Sequence, residues 1–130
     1  MKNIKRILSI LAIIILVGIF VISFSKNIFN LENSEQDKNI EELAKCLANK
    51  NIIEYGKWWC EACNKQKELF GKSFKYLKYV ECSKNTQECL DKNIKYTPTW
   101  FFPNGEKIIG LTPLETLAQK SGCKLPANNE

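Results

Sequence analysis

The chain has 130 residues, room for one globular domain and little besides, and 45% of them are hydrophobic, an ordinary share for a chain that buries a core. Its formal charge is +5, but Lys2, Lys5 and Arg6 supply much of it at the N-terminus, which argues against nucleic-acid binding by the rest. Six cysteines in so short a chain point to a compartment where disulfides persist, and composition does not choose among their pairings.

Ile7 to Phe24 run uncharged for 18 residues, which as a helix spans about 27 Å, close to a hydrocarbon core. Residues 7–25 therefore read as a transmembrane anchor after a basic N-terminus, 1–6. The competing reading is a cleaved signal peptide, but the run ends Ile22-Ser23-Phe24-Ser25 rather than in small residues of the A-x-A kind. Lys2, Lys5 and Arg6 hold that flank in the cytoplasm, giving a single-pass cell-membrane protein with its C-terminal domain outside. Residues 26–39 are polar without an apolar period and read as a flexible tether, with a reach of about 20 Å. Residues 40–125 read as the domain and 126–130 as a tail.

Asn39 caps a short helix with Glu42 three positions on, and Ile40, Leu43, Ala44 and Leu47 give it a buried stripe to about Asn49. Ile52 to Tyr55 is β-prone and stops at Gly56, and Asn64 to Phe70 is rich in helix formers, so Cys60 and Cys63 fall at a strand-to-helix turn. Leu77 to Glu81 is a second strand, followed by a helix from Thr86 to Lys92, and two βα steps argue for a parallel pair. Thr99 to Phe102 and Lys107 to Ile109 flank Asn104-Gly105, a hairpin. Thr112 as N-cap, Pro113 at the first helical position and Glu115 at the third open a last helix that buries Leu114, Leu117 and Ala118 and stops at Gly122. The order predicts an α/β fold, a central mixed sheet flanked by helices and preceded by one transmembrane helix.

Trp58-Trp59-Cys60-Glu61-Ala62-Cys63, with Tyr96-Thr97-Pro98-Thr99-Trp100 downstream, resembles the thioredoxin superfamily. Leu43-Ala44-Lys45-Cys46-Leu47, Gln66-Lys67-Glu68-Leu69-Phe70-Gly71, Tyr79-Val80-Glu81-Cys82 and Gln87-Glu88-Cys89 bring it nearest to the thioredoxin-like domain fused to bacterial vitamin K epoxide reductase homologues, over residues 43–125. The resemblance implies a thioredoxin-like fold and a thiol–disulfide oxidoreductase that acts on thiols and disulfides of exported proteins. It implies no cofactor beyond the redox-active disulfide: quinone enters only through a separate membrane oxidoreductase, the four-helix part for which this chain is too short. Running the electrons the other way gives a reductase of exported disulfides, and a protein that has kept the fold but lost turnover is a disulfide-stapled binding module. Glu61-Ala62 stands where the family usually has Pro-His, and the chain has no histidine, so a redox potential is not implied.

Disulfide exchange needs an attacking thiolate and a second thiol that displaces what the first captures. Cys60, at a helix N-terminus where the dipole favours negative charge, is the attacker, and Cys63, one turn in, resolves. Glu61 partly opposes the thiolate. A metal reading would join the pair to Cys82 and Cys89 as a zinc site, but the gap between those two is wide for a knuckle and leaves Trp58-Trp59 without a role, so no metal is expected. The resemblance makes the bond before Pro98 cis and sets Pro98, Thr97 and Trp59 as the substrate platform. Trp58 and Trp100 read as packing residues. Glu54, six residues before Cys60, stands where many thioredoxins place a buried acid that moves the proton of the second cysteine; the other reading is a strand residue facing solvent. Cys82 and Cys89 are retained in the resemblance and suit a local bridge, and Cys46 and Cys123 are left to join the first and last helices. Both pairs read as structural, with a second redox couple as the alternative, most open for Cys82 and Cys89.

Overall fold

A computed structural model describes residues 2–125, with the side chains of residues 2, 3, 5 and 27–33 outside that description; the predicted tail 126–130 lies outside it too. The elements in chain order are α1 (Lys2–Asn49), β1 (Ile53–Gly56), α2 (Glu61–Phe70), β2 (Lys78–Glu81), α3 (Thr86–Asp91), β3 (Thr99–Phe101), β4 (Lys107–Ile109) and α4 (Leu114–Ser121). A 3-10 segment, Gly71–Tyr76, lies between α2 and β2. The chain divides into two compact units, Met1–Glu35 and Gln36–Glu130.

In the first unit Arg6–Lys26 is long and apolar enough to cross a membrane, as an anchor or as a signal sequence, and none of it is buried. Isoleucines, leucines, valines and phenylalanines are exposed all round it, with no polar face of an amphipathic helix. Residues 26–39, read from sequence as an unstructured tether, are helical, and Asn39 therefore caps nothing. No Gly or Pro interrupts that stretch, and Leu31, Glu32, Glu35, Gln36 and Lys38 all favour helix, so the segment needs no apolar period to continue one.

In the second unit the strand order is β2-β1-β3-β4, with β1 parallel to β2 and antiparallel to β3, and β3 antiparallel to β4. This is the mixed sheet flanked by helices that the sequence predicts. The alternation of β3 divides the core. Trp100 and Phe102 join Leu43, Ala44 and Leu47 of α1, Phe70 of α2 and Leu117 and Ala118 of α4, whereas Phe101 packs from the other face against Tyr55, Cys82 and Cys89. The β3–β4 hairpin turns at Asn104-Gly105, where Gly105 takes φ 86°, a conformation closed to most other residues.

Two disulfides brace this unit. Cys46–Cys123 joins the last turns of α1 to the end of α4 across 77 residues, and Lys50 Nζ donates to Ser121 O at 2.7 Å beside it. Cys82–Cys89 closes the loop between β2 and α3. Thr112 is not the cap of α4: its N–H goes to Gln66 Oε1 at 2.7 Å and its hydroxyl to Gly110 O at 2.9 Å, so the helix starts one residue later, after Pro113.

Candidate active site

β1 delivers the chain to the site through a tight strand end. A Cβ on Gly56 would sit 2.7 Å from the Tyr79 ring and hydroxyl, so the phenol end of Tyr79 occupies the space a side chain would need. Tyr79 Oη donates to Glu81 Oε2 at 2.9 Å, and Ser83 donates to Glu81 Oε1 through its hydroxyl at 2.6 Å and its N–H at 3.3 Å. Burial pushes the Glu81 carboxyl up, but hydrogen bonds from Ser83, Tyr79 and the Trp58 backbone outweigh it and hold the group below its usual range. Glu81 thereby ties β2 to the loop before Cys60, a role that sequence did not suggest because its partners converge only in the fold.

Cys60 is the N-cap of α2 and is partly exposed, whereas Cys63, one turn in, has no exposed surface. The two form a disulfide, and the Cys63 N–H points at Cys60 Sγ at 3.2 Å. When the pair is reduced, that N–H and the start of a ten-residue helix favour the thiolate of Cys60 over that of Cys63. Glu61 is engaged with Lys65 at 2.7 Å, and the hydrogen bond and charge of that lysine hold its carboxyl below the usual range. Both side chains are solvent-exposed, which mutes the opposition expected from Glu61.

The other wall of the site is the segment Tyr96–Pro98. The Thr97–Pro98 peptide bond is cis, and the Thr97 carbonyl oxygen lies 3.4 Å from Cys60 Sγ. Two hydrogen bonds hold this segment: Thr99 Oγ1 donates to Tyr96 O at 2.7 Å, and Gly110 N to Pro98 O at 2.8 Å. The segment after Gly110 is clamped to α2 by Gln66, whose buried amide donates to Thr112 O at 2.9 Å while its oxygen accepts the Thr112 N–H. Of the seven large apolar side chains exposed among the described residues of this unit, Trp58 and Trp59 precede Cys60, Tyr96 precedes Thr97, and Ile109 and Leu111 flank Gly110, while Leu69 and Leu90 lie on α2 and α3. Trp58 and Trp59 meet edge to face at 5.1 Å. Trp100, by contrast, is wholly buried.

Glu54 takes the buried of its two readings: it has no exposed surface, and neither carboxyl oxygen has a hydrogen-bond partner among the described residues. It sits in β1 opposite Tyr79 of β2 and Trp100 of β3, and the indole Nε1 of Trp100 is likewise buried without a partner. Burial pushes the carboxyl up to about 8, against a smaller downward pull from the Lys67 ammonium. Such a group titrates where thiols do, and carboxyls left unpaired in a core carry a functional expectation. Among the described residues no group of three or more His, Cys, Asp or Glu gathers to hold a metal, and the four cysteines of a zinc reading are divided between two disulfides.

A parallel β1–β2 pair, an antiparallel β1–β3–β4 meander, a CxxC disulfide at the N-terminus of the helix after β1 and a cis-proline before β3 facing it together make a thioredoxin-like fold. Comparison with known proteins gives a relative named "Thiol-disulfide oxidoreductase LTO1" from Arabidopsis thaliana, 37% identical over 97 residues, which are 68% of this chain and 26% of that protein. The chain thus spans about a quarter of the length of that relative. Among solved structures it is similar to the oxidised thioredoxin from Plasmodium falciparum, at TM-score 0.43 and 19% identity, over 68% of this chain and 88% of the other. No family model matches.

Proposed function

We propose that this chain is a membrane-anchored thiol–disulfide oxidoreductase that works on exported polypeptides outside the cytoplasm. The observation that carries the proposal is the asymmetry of the pair: Cys60 is partly exposed at a helix N-cap against the Thr97 carbonyl, and Cys63 is wholly buried. The Arabidopsis relative, by its name, belongs to the same class of activity.

In the oxidising direction a substrate thiolate attacks Cys60 Sγ, the Cys60–Cys63 bond breaks, and Cys63 leaves with the electron pair as a thiolate. Glu54, protonated at neutral pH by its burial, supplies the proton that neutralises Cys63, and returns to its acid form when the pair is next oxidised. A second substrate thiolate then displaces Cys60, leaving a substrate disulfide and a reduced pair that holds two electrons. Thr97 and Pro98 present the platform along which the substrate backbone lies, and Trp59 lines its rim. Cys46–Cys123 and Cys82–Cys89 brace the domain and take no part in turnover.

The reduced pair is reoxidised by a separate quinone-linked membrane protein of the vitamin K epoxide reductase type, and the N-terminal helix keeps the two in one membrane, which raises their effective concentration. No cofactor of the chain's own enters the cycle. The test is Cys63→Ala in cells: substrates captured on Cys60 can no longer be displaced and accumulate as mixed disulfides. Exported proteins together with a membrane oxidoreductase are the expected captures. Captures confined to oxidised exported proteins, with no membrane partner, would reverse the direction to a reductase, and none at all would leave a disulfide-stapled binding module.

A further inference from the structure

Beside the Thr97 wall lies a pocket of about 240 Å³ lined by Asn93, Ile94, Lys95, Tyr96, Thr99, Lys107 and Ile109. Tyr96, one of its lining residues, is the chain neighbour of Thr97, whose carbonyl oxygen lies 3.4 Å from Cys60 Sγ. The lining sets Ile94, Tyr96 and Ile109 beside two lysines and the neutral polar Asn93 and Thr99. Tyr96 and Ile109 are 65% and 59% exposed, an uncommon outlay of apolar surface unless something covers it.

The charge of the pocket is one-sided. Lys107 Nζ is pinned to its wall by the carbonyls of Lys92 and Asn93 at 2.7 and 3.1 Å, and Lys95 is exposed. Outside the lining, Lys92 places its ammonium 5.1 Å from the Phe101 ring centroid. No acidic side chain lines the pocket, and among the described residues none of these three lysines is in an ion pair. The acids nearest in sequence are engaged elsewhere: Glu106 with the Lys120 ammonium at 3.2 Å, Asp91 with the Gln87 amide at 2.8 Å and Glu88 with the Tyr55 hydroxyl at 3.1 Å.

We propose that this pocket is the subsite for the substrate segment that flanks the cysteine bonded to Cys60, and that it selects segments pairing an apolar side chain with a carboxylate. The inference deepens the proposed function and rests on it. A mixed disulfide at Cys60 fixes the substrate backbone along Thr97, and residues two or three positions from the substrate cysteine, about 7 to 10 Å along an extended chain, then fall over Tyr96 and Ile109. A carboxylate there meets Lys95 and Lys107. The site thereby ranks thiols by their neighbours.

The experiment uses the full chain in detergent micelles with the Cys60–Cys63 disulfide intact. Two cysteine peptides of equal length, one flanked by Phe and Glu and the other by Ser and Lys, are compared by stopped flow for reduction of the disulfide, each rate divided by that peptide's rate with oxidised glutathione to remove thiol acidity. The expected result is a preference of about fivefold for the Phe–Glu peptide at low salt, shrinking as salt screens the charges. Lys95→Glu should cancel or invert that preference and Ile109→Ser should halve it, while the rate with 2-mercaptoethanol stays within about twofold in both variants. Equal rates for the two peptides in the unaltered protein, or a preference that Lys95→Glu leaves in place, would overturn the inference while leaving exchange chemistry standing. Failure of every thiol, 2-mercaptoethanol included, to open the Cys60–Cys63 bond would instead remove the oxidoreductase reading and the subsite with it.

Discussion

Glu54 is the residue whose burial ties the stability of the fold to pH. Its carboxyl is raised from about 4.5 in an ordinary setting to about 8 in the fold, so between those values the folded chain holds a proton that the unfolded chain has released. Its contribution to stability is therefore full below about 4.5, falls as pH rises towards 8, and is level above that. Chemical denaturation from pH 5 to 9 should show this decline, on the order of a few kcal/mol, and Glu54→Gln should flatten it and be the more stable protein at pH 8. The same substitution should slow the release of Cys63 during exchange and remove a pH dependence from that rate. A second expectation concerns Gly56→Ala, whose new methyl would meet Tyr79 and disturb the hold of Glu81 on the Trp58 loop, costing about 1 to 3 kcal/mol; adding Tyr79→Ala should recover part of the loss in denaturation midpoint. At this scale the CxxC motif is legible because its spacing marks it, and Pro98 only because the resemblance to the thioredoxin superfamily sets a cis-proline opposite that motif. The burial of Glu54 is not, since an acid in a four-residue β-prone run reads the same on either face of a sheet. Gln66 is hidden for another reason: its partner Thr112 is 46 residues away and only the fold brings them together.

At the scale of elements the two bracing disulfides differ in what they contribute. In the chain-entropy account Cys46–Cys123, closing 77 residues, is worth about 4.5 kcal/mol, and Cys82–Cys89, closing 7, about 2.5 kcal/mol. Unfolding of the Cys46→Ser/Cys123→Ser pair and of the Cys82→Ser/Cys89→Ser pair, followed by tryptophan fluorescence, should rank them in that order, and exchange at Cys60 should survive both. The strands were readable to within a residue or so because each short apolar run has its own turn signal, Gly56 after β1 and Asn104-Gly105 after β3. The helix starts were less readable. Thr112 has the form of a cap, but its hydroxyl donates to Gly110 O and its backbone N–H and C=O are held by Gln66, and Asn39 has the form of a cap inside a helix that does not begin there. The 3-10 segment Gly71–Tyr76 carries no periodicity longer than one turn and left no signal to read.

For the molecule as a whole, the apolar run announces itself by composition, whereas the helical state of residues 26–39 rests on propensity alone and was hidden by their polarity. If the basic N-terminus stays in the cytoplasm, the full chain should sediment with membranes, resist salt and alkali, and dissolve only in detergent. After mild reduction of intact cells, a membrane-impermeant maleimide should label Cys60; labelling only after lysis would place the domain on the inner side. The most direct measurement of the central claim is to mix the oxidised full chain with an excess of cysteine peptide, quench with acid within milliseconds, and map the mixed disulfide by mass spectrometry. The account predicts peptide on Cys60, with Cys63 free and Cys46–Cys123 and Cys82–Cys89 intact. Peptide found on Cys63, or on Cys82 or Cys89 ahead of Cys60, would contradict it.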